Sequence, residues 1–298
     1  MKILHTSDWH LGHTLYNFDR TEEQTAMLAQ IIDIVREEKP DAFLLSGDVY
    51  HTSQPSAAVQ TMFTDAIVQI HEANPAMTIV ITAGNHDSGT KHEIFKTPWQ
   101  ALKVFSVGNI DKEHPENHII EVKEKKKTQD EIKGYIIAVP YCYERSIPEG
   151  FFQEILDEVK ERNQELPVIM MAHTTVKGCD FKGHDNATEY TVGGIDSLEV
   201  SDLGEGYDYL ALGHIHHEQW IRGSHHRIRY AGSPMVPDNT QEIAMKRSED
   251  KLAQFEQIIG DIVTRSLMAN NGKLGEDISN IVTDRVSNKV IKEMDYMM

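Results

Sequence analysis

The residues with most chemistry in them come in five short groups: Asp8 and His10 in "SDWHLGH", Asp48 in "SGDVYH", Asn85 and His86 in "AGNHD", His173 in "MAHTT", and His214 and His216 in "LGHIHH". Carboxylate and amide oxygens with imidazole nitrogens are donors that hold divalent cations. Asp8 and His10, one residue apart, fall on the same side of an extended chain, because side chains alternate along a strand. Each group alone is ordinary, since a hydrogen-bonded polar turn has the same composition. Together they offer two Asp, one Asn and several His, which suits a centre of two cations. Asp48 is the natural bridge, because each of its oxygens can face a different ion. If Asn85 is a ligand, its neighbour His86 is left to stand over the substrate. An imidazole there, with an ordinary pKa near neutrality, can steady phosphoryl oxygens or protonate a leaving alkoxide.

Other residues near these groups carry lesser expectations. Asp87 either orients His86 or caps a turn, while His13, His51 and His217 fit no ligand slot and read as supporting or surface residues. Single histidines such as His5 and His71 read as ordinary structural residues. Gly47, Gly84 and Gly213 each adjoin a proposed ligand, where the chain is expected to turn sharply and a cation to approach the backbone.

The elements that must position these groups are short apolar, β-branched runs that stop at polar clusters. "KILHTSDWH", "AFLLSGDVYH" and "MTIVITAGNHD" come first, and "GYIIAVPY", "PVIMMAHTT", "YDYLALGHIHH" and "RIRYAGSP" follow. Between them, Glu22 to Glu38 carries Met27, Leu28, Ile31, Ile32 and Val35 at helical spacing and ends before Pro40. Ser56 to Ala73 repeats the pattern with Val59, Met62, Phe63, Ile67 and Ile70, and Ser53 followed by Pro55 suits its start. Alternating strands and helices predict an α/β protein whose early strands are parallel, with ligands at the strand ends. The basic stretch "VKEKKKTQDEIKG" at 122–134 reads as a solvated hairpin tip.

Composition limits the partners. With 47 acidic against 29 basic residues the net charge is −18, which excludes binding nucleic acid by a broad basic face. It leaves a nuclease open, because cations neutralise phosphate locally and a partner subunit can supply long-range attraction. The hydrophobic content of 40% and charged content of 26% are those of a soluble globular chain. "MKILHTSD" is too short an apolar run for a signal peptide, and no later run would cross a bilayer, so no membrane partner is expected. Cys142 and Cys179 form no C-x-x-C pair, and a reducing cytoplasm is the expected compartment.

The order D-x-H, G-D, G-N-H-D, A-H, G-H-x-H resembles the calcineurin-like metallophosphoesterases, with the likeness running from residue 1 to about 234. Within that superfamily, "HTSDWHLGHTL", "SGDVYHTSQPS", "YTVGGIDSL" and "YLALGHIHHEQ" followed by "IRYAGSP" are similar to the SbcD family of nuclease subunits. The resemblance implies two packed β-sheets flanked by helices. It implies two divalent cations, manganese foremost, one held by Asp8, His10, Asp48 and His216 and the other by Asp48, Asn85, His173 and His214, with His86 catalytic. It also implies DNA as substrate, cut exonucleolytically at duplex ends and endonucleolytically at hairpins and single strands, together with an SbcC-like ATPase. Two rivals stand beside it: a phosphodiesterase for small nucleotides or phosphoproteins, and a non-catalytic scaffold subunit.

The chain departs from that family after Met235. Family members carry further strands, a capping domain and a helical segment that grips the ATPase, whereas residues 236–298 read as helices alone. Leu252, Phe255, Ile258, Ile259, Ile262 and Val263 form one apolar stripe and Ile278, Ile281, Val282, Val286, Val290 and Ile291 another, with "NNGKLG" between. The expected division is a phosphoesterase domain over 1–235 and a helical tail over 236–298. The tail reads as a shortened partner-binding hairpin, a homodimerisation element or an unrelated extension.

Overall fold

In the computed structural model, residues 1–15, 19–126, 130–142, 147–163, 165–180 and 197–235 are described. The expected tail helices, the division at residue 235 and most of the "YTVGGIDSL" loop lie outside them.

The apolar runs form strands, and the strands form two sheets. β1 (Ile3–Thr6), β2 (Ala42–Ser46), β3 (Thr78–Thr82) and β4 (Val104–Val107) make a four-stranded sheet in that order, every pairing parallel. β5 (Ile119–Glu124), β6 (Glu131–Ala138), β7 (Val168–His173), β8 (Tyr209–Gly213), β9 (Gln219–Trp220) and β10 (Ile228–Tyr230) make the second, in the order β5-β6-β7-β8-β10-β9. Its outer pairs, β5 with β6 and β9 with β10, are antiparallel, and the inner ones are parallel. β4, β5 and β9 are not among the apolar runs expected from the sequence.

Strand alternation sorts the core into three layers. Phe43, Leu45, Ile79 and Ile81 face away from the second sheet and pack against α1 (Thr21–Glu38) and α2 (Ala57–Ala73). Ala42, Leu44 and Val80 face the other way and meet Ile136, Ala138, Ile169, Met171 and Ala211 between the sheets. Met170, Ala172, Leu210 and Leu212 cover the far side with α5 (Phe151–Arg162). β2 and β3 are buried on both faces, which is why "AFLLS" and "TIVIT" are continuously apolar except at their ends. Two shorter helices, α3 (Gly89–Ile94) and α4 (Lys96–Gln100), follow β3.

Helix ends follow local chemistry. Lys39 adopts a left-handed conformation at the end of α1 and returns its N–H to Val35 O, just before Pro40. At the start of α2 the capping residue is Ser56, whose Oγ accepts from Val59 N at 3.3 Å, rather than Ser53. In the β5–β6 hairpin, Lys123 pairs with Glu121, Lys126 with Glu124, and Lys133 with Asp41. These lysines are balanced by neighbouring acids, in keeping with a solvated hairpin. No helix among the described residues is long and apolar enough to cross a membrane.

Candidate metal centre

β1 ends at Thr6, and the chain does not stay extended through the first group. Asp8 has φ 54° and His10 φ 45°, as Asp48 after β2 has φ 50° and His214 after β8 has φ 94°. The expectation that alternation along a strand brings Asp8 and His10 to one side is therefore corrected: a left-handed loop does it. That loop runs beside the one after β2, with Asp8 N donating to Gly47 O and His10 N to Asp48 O, both at 3.0 Å. Such conformations are costly for residues with a Cβ and persist where surrounding structure holds them.

All seven expected donors converge. His10 Nε2 and His216 Nε2 face each other at 3.0 Å, and donor atoms of Asp8, His10, Asp48 and His216 lie within 4.8 Å of one another. Asp48 Oδ2 is 3.6 Å from His10 Nε2 on one side and 3.4 Å from His173 Nε2 on the other. Asn85 Oδ1 stands 3.0 Å from His173 Nε2 and 2.9 Å from His214 Nδ1. Asp48 thus sits where two groups of donors meet. Two imidazole nitrogens facing at 3.0 Å can share at most one proton, whereas a cation beside both satisfies both lone pairs, so the residues present fit a divalent ion.

Hydrogen bonds within the first sheet and across to the second hold these side chains. Asp48 Oδ1 accepts from His86 N at 2.9 Å, and Asp8 accepts from His214 N at 3.1 Å and from Ser7 Oγ. His173 Nδ1 donates to Ser46 O at 2.8 Å, which leaves Nε2 toward Asp48 and Asn85. Asp8, His10, Asp48 and His173 are buried, whereas Asn85 is exposed and His214 and His216 are half-buried. The centre therefore opens on the side of Asn85.

Charge in this buried place is balanced internally. Burial alone would raise the Asp48 carboxyl, but the imidazoles of His173 and His10 hold it well below the usual carboxylate range. Burial likewise disfavours a charged His173, yet the facing Asp48 pushes it up to about 9. Asp8 rises to about 7, chiefly because it is buried, against the attraction of His173.

Glycine is required at all three expected positions for a reason other than cation approach, and at Gly213 the obstacle to a Cβ is the Ser46 carbonyl. Gly47 has φ 81°, and a Cβ there would lie 2.1 Å from His173 Nδ1. At Gly84 a Cβ would lie 2.1 Å from Asp48 Oδ1. Each is a place where the chain beside a proposed ligand presses on its neighbour.

His86 lies at the rim of the centre, its ring edge-on to His10 with centroids 4.9 Å apart. Its Nδ1 donates to His51 O at 2.8 Å. Asp87 does not bond that ring: it accepts from Val49 N, Tyr50 N and Gly84 N, the turn-holding alternative of the two expected for it. The composition of the rim was underread in the sequence. His51 stacks on His86 at 5.7 Å and neighbours His13 at 4.4 Å, and ligand atoms of His10, His51 and His86 cluster within 4.8 Å. Burial and the nearby His86 hold His51 below its ordinary range, and burial with His51 and Arg20 lowers His13 to about 4. Tyr141 was also missed, and its ring lies 6.2 Å from that of His173 and 6.3 Å from that of His214. The only sequence signal was position, His51 being three residues beyond Asp48. His217 stands near the acidic side chain of Glu218, away from these contacts.

Comparison with known proteins agrees with this geometry. The SbcD component of the nuclease SbcCD of Rhodobacter capsulatus is 29% identical over 265 residues, 82% of this chain and 64% of that protein. The SbcD component from Escherichia coli K12 is 28% identical over 257 residues, 79% of this chain and 60% of its own length. The chain thus spans somewhat under two thirds of the length of these relatives. A family model described as calcineurin-like phosphoesterase matches residues 1–218, the stretch that contains all seven expected donors, and the chain belongs to that family.

Proposed function

We propose that the chain is a metal-dependent phosphodiesterase that cuts DNA, as the nuclease subunit beside an SbcC-like ATPase. The observation that carries this reading is the convergence of seven donor side chains from both sheets around Asp48, with His86 at the rim. In it, Asp8, His10, Asp48 and His216 hold one divalent cation and Asp48, Asn85, His173 and His214 the other. An oxygen-and-imidazole set of this kind suits manganese. Bound there, such ions would neutralise the scissile phosphate and lower the pKa of water so that hydroxide is available to attack it.

The chain's own residues do the rest. Amide hydrogens of His86 and His214 hold Asp48 and Asp8 in place before substrate arrives, and the Ser46 carbonyl fixes His173 with Nε2 inward. Phosphate enters beside the exposed Asn85. His86, with its Nδ1 hydrogen committed to His51 O, keeps Nε2 for the substrate and, when that nitrogen is protonated as well, passes its Nε2 proton to the departing alkoxide and is left neutral. Residues 236–298 serve assembly, with the ATPase or with a second copy, in the cytoplasm.

The test is cleavage by the purified full chain of duplex, single-stranded and hairpin DNA, with and without Mn2+ and with and without an SbcC-like ATPase. Manganese-dependent cleavage that EDTA abolishes is expected. DNA left intact under every condition, while a small diester such as bis(p-nitrophenyl) phosphate is hydrolysed, would overturn the nuclease reading and keep the phosphodiesterase. Cutting the chain after Asn239 should preserve hydrolysis of the small diester and weaken ATPase capture or self-association.

A further inference from the structure

Six arginines lie among the described residues, and they fall into two kinds. Arg20, Arg36 and Arg162 are each paired with an acid three or four residues away. Arg222, Arg227 and Arg229 have no ion-pair partner among the described residues, and all three lie in the hairpin formed by β9 and β10. No Asp or Glu occurs from Gln219 to Pro237. In a chain with net charge −18, this hairpin is a local departure toward positive charge.

The same hairpin presents an aromatic surface. Ile221, Ile228 and Tyr230 turn into the core beside α5, so Trp220 and Arg229, which alternate with them and pair across the two strands, project from the opposite face. Trp220 remains 39% exposed, with the Arg229 guanidinium 4.9 Å from its ring centre and the exposed His226 ring edge-on at 5.2 Å. Arg222 and Arg227 at the tip are exposed as well. Both ends of the hairpin are rooted at the centre: it leaves from His216 and returns to Ser233, whose Oγ donates to Asp8 O at 2.7 Å and whose N donates to His216 O. Arg222 is six residues from His216, which limits its distance to about 20 Å.

We infer that the β9–β10 hairpin is a platform for single-stranded DNA leading to or from the metal centre, with a base stacked on Trp220 and phosphates met by Arg222, Arg227 and Arg229. An exposed indole beside a guanidinium recognises the face of an unstacked base, which a duplex hides, and this selects single strand over double strand. The arginines supply sequence-independent attraction that the rest of the acidic surface lacks. The inference rests on the nuclease reading and deepens it by assigning a contact for the strand.

Binding of a labelled oligothymidylate to the full chain is measured in EDTA, so that no cleavage intervenes, while hydrolysis of bis(p-nitrophenyl) phosphate with Mn2+ is followed separately. Trp220→Ala should weaken oligonucleotide binding by about fivefold or more, and Trp220→Phe should restore most of it. The double variant Arg222→Glu and Arg227→Glu should weaken binding further and flatten its dependence on salt by about 1.4 units of log–log slope. Small-diester hydrolysis should be unchanged in all three, since none of the substituted side chains belongs to the centre. Oligonucleotide affinity equal to that of the parent in the alanine and charge-reversed proteins would overturn the platform and leave the phosphodiesterase standing. Loss of small-diester hydrolysis in the parent itself would instead overturn the catalytic reading.

Discussion

The two sheets contribute to the centre in different ways. The first supplies all three proposed oxygen donors, Asp8, Asp48 and Asn85, from loops that follow its strands, two of them in left-handed backbone and both carboxylates held by amide hydrogens. The second supplies the proposed donors His173, His214 and His216, and His173 is oriented by the first sheet's Ser46 carbonyl. Neither sheet holds a complete set. The centre consequently reports whether the sheets are docked in register, and substitutions that act on one sheet should be felt through the other.

The strongest blow to that division is Asp48→Ala, which removes the one side chain that faces both groups of donors. All measurable phosphodiesterase activity should be lost together with at least one equivalent of metal by elemental analysis. A variant with full activity would end the idea of a shared centre. Next in size is His86→Ala, which takes away a ring on the rim and no donor. Both metals should stay while turnover falls by about two to four powers of ten. Metal loss like that of Asp48→Ala would make His86 structural.

A wedge between the sheets should have a smaller effect. A Cβ at Gly213 would lie 1.8 Å from Ser46 O and 2.8 Å from His173 Nδ1. Gly213→Ala should cost about 1–3 kcal/mol in urea unfolding, as overpacking does, and weaken metal binding at the same time. Lowered stability with unchanged metal affinity would uncouple docking from the centre.

The smallest effect near neutral pH is expected at a contact between the sheets away from the proposed donors. His5 bridges them, with Nδ1 3.0 Å from Tyr209 Oη and Nε2 3.2 Å from Ser46 Oγ. Burial, with the positive charge of Arg229, lowers it from 6.5 to about 3. The unfolded chain therefore takes up a proton as pH falls through 6.5 and the folded one does not until about 3. Its contribution is full above the unfolded value and declines as the pH drops between the two, by at most about 1.4 kcal/mol per unit. His5→Asn should flatten the acid limb of stability against pH, and equal slopes in parent and variant would remove His5 from that account.

How much of this was legible in the sequence depended on the kind of signal. "AFLLS" and "TIVIT" announced buried strands because both their faces are covered, and the helices α1 and α2 were read to within a residue from their apolar spacing. β4 escaped because "VFSV" is short and alternates burial weakly, and β9 because two residues carry no period. The seven donors could be collected from residue types at strand ends, yet the backbone that brings Asp8 and His10 together is left-handed, a tertiary constraint with no local pattern. His51 illustrates the same limit. Its contact with His86 joins two loops 35 residues apart, and only the parallel pairing of β2 with β3 puts those loops side by side.

That pairing is reinforced beyond the strands by Asp87, whose buried carboxylate accepts three amide hydrogens, from Val49 and Tyr50 on one loop and Gly84 on the other. Loops ordinarily open by themselves and exchange their amide hydrogens with solvent quickly, through fluctuations that leave the sheet intact. Here one side chain makes the release of any of these hydrogens depend on the release of the others. The Val49, Tyr50 and Gly84 amides should therefore exchange slowly and at a common rate, as a single cooperative opening, so that the loops carrying Asp48 and Asn85 loosen together or not at all.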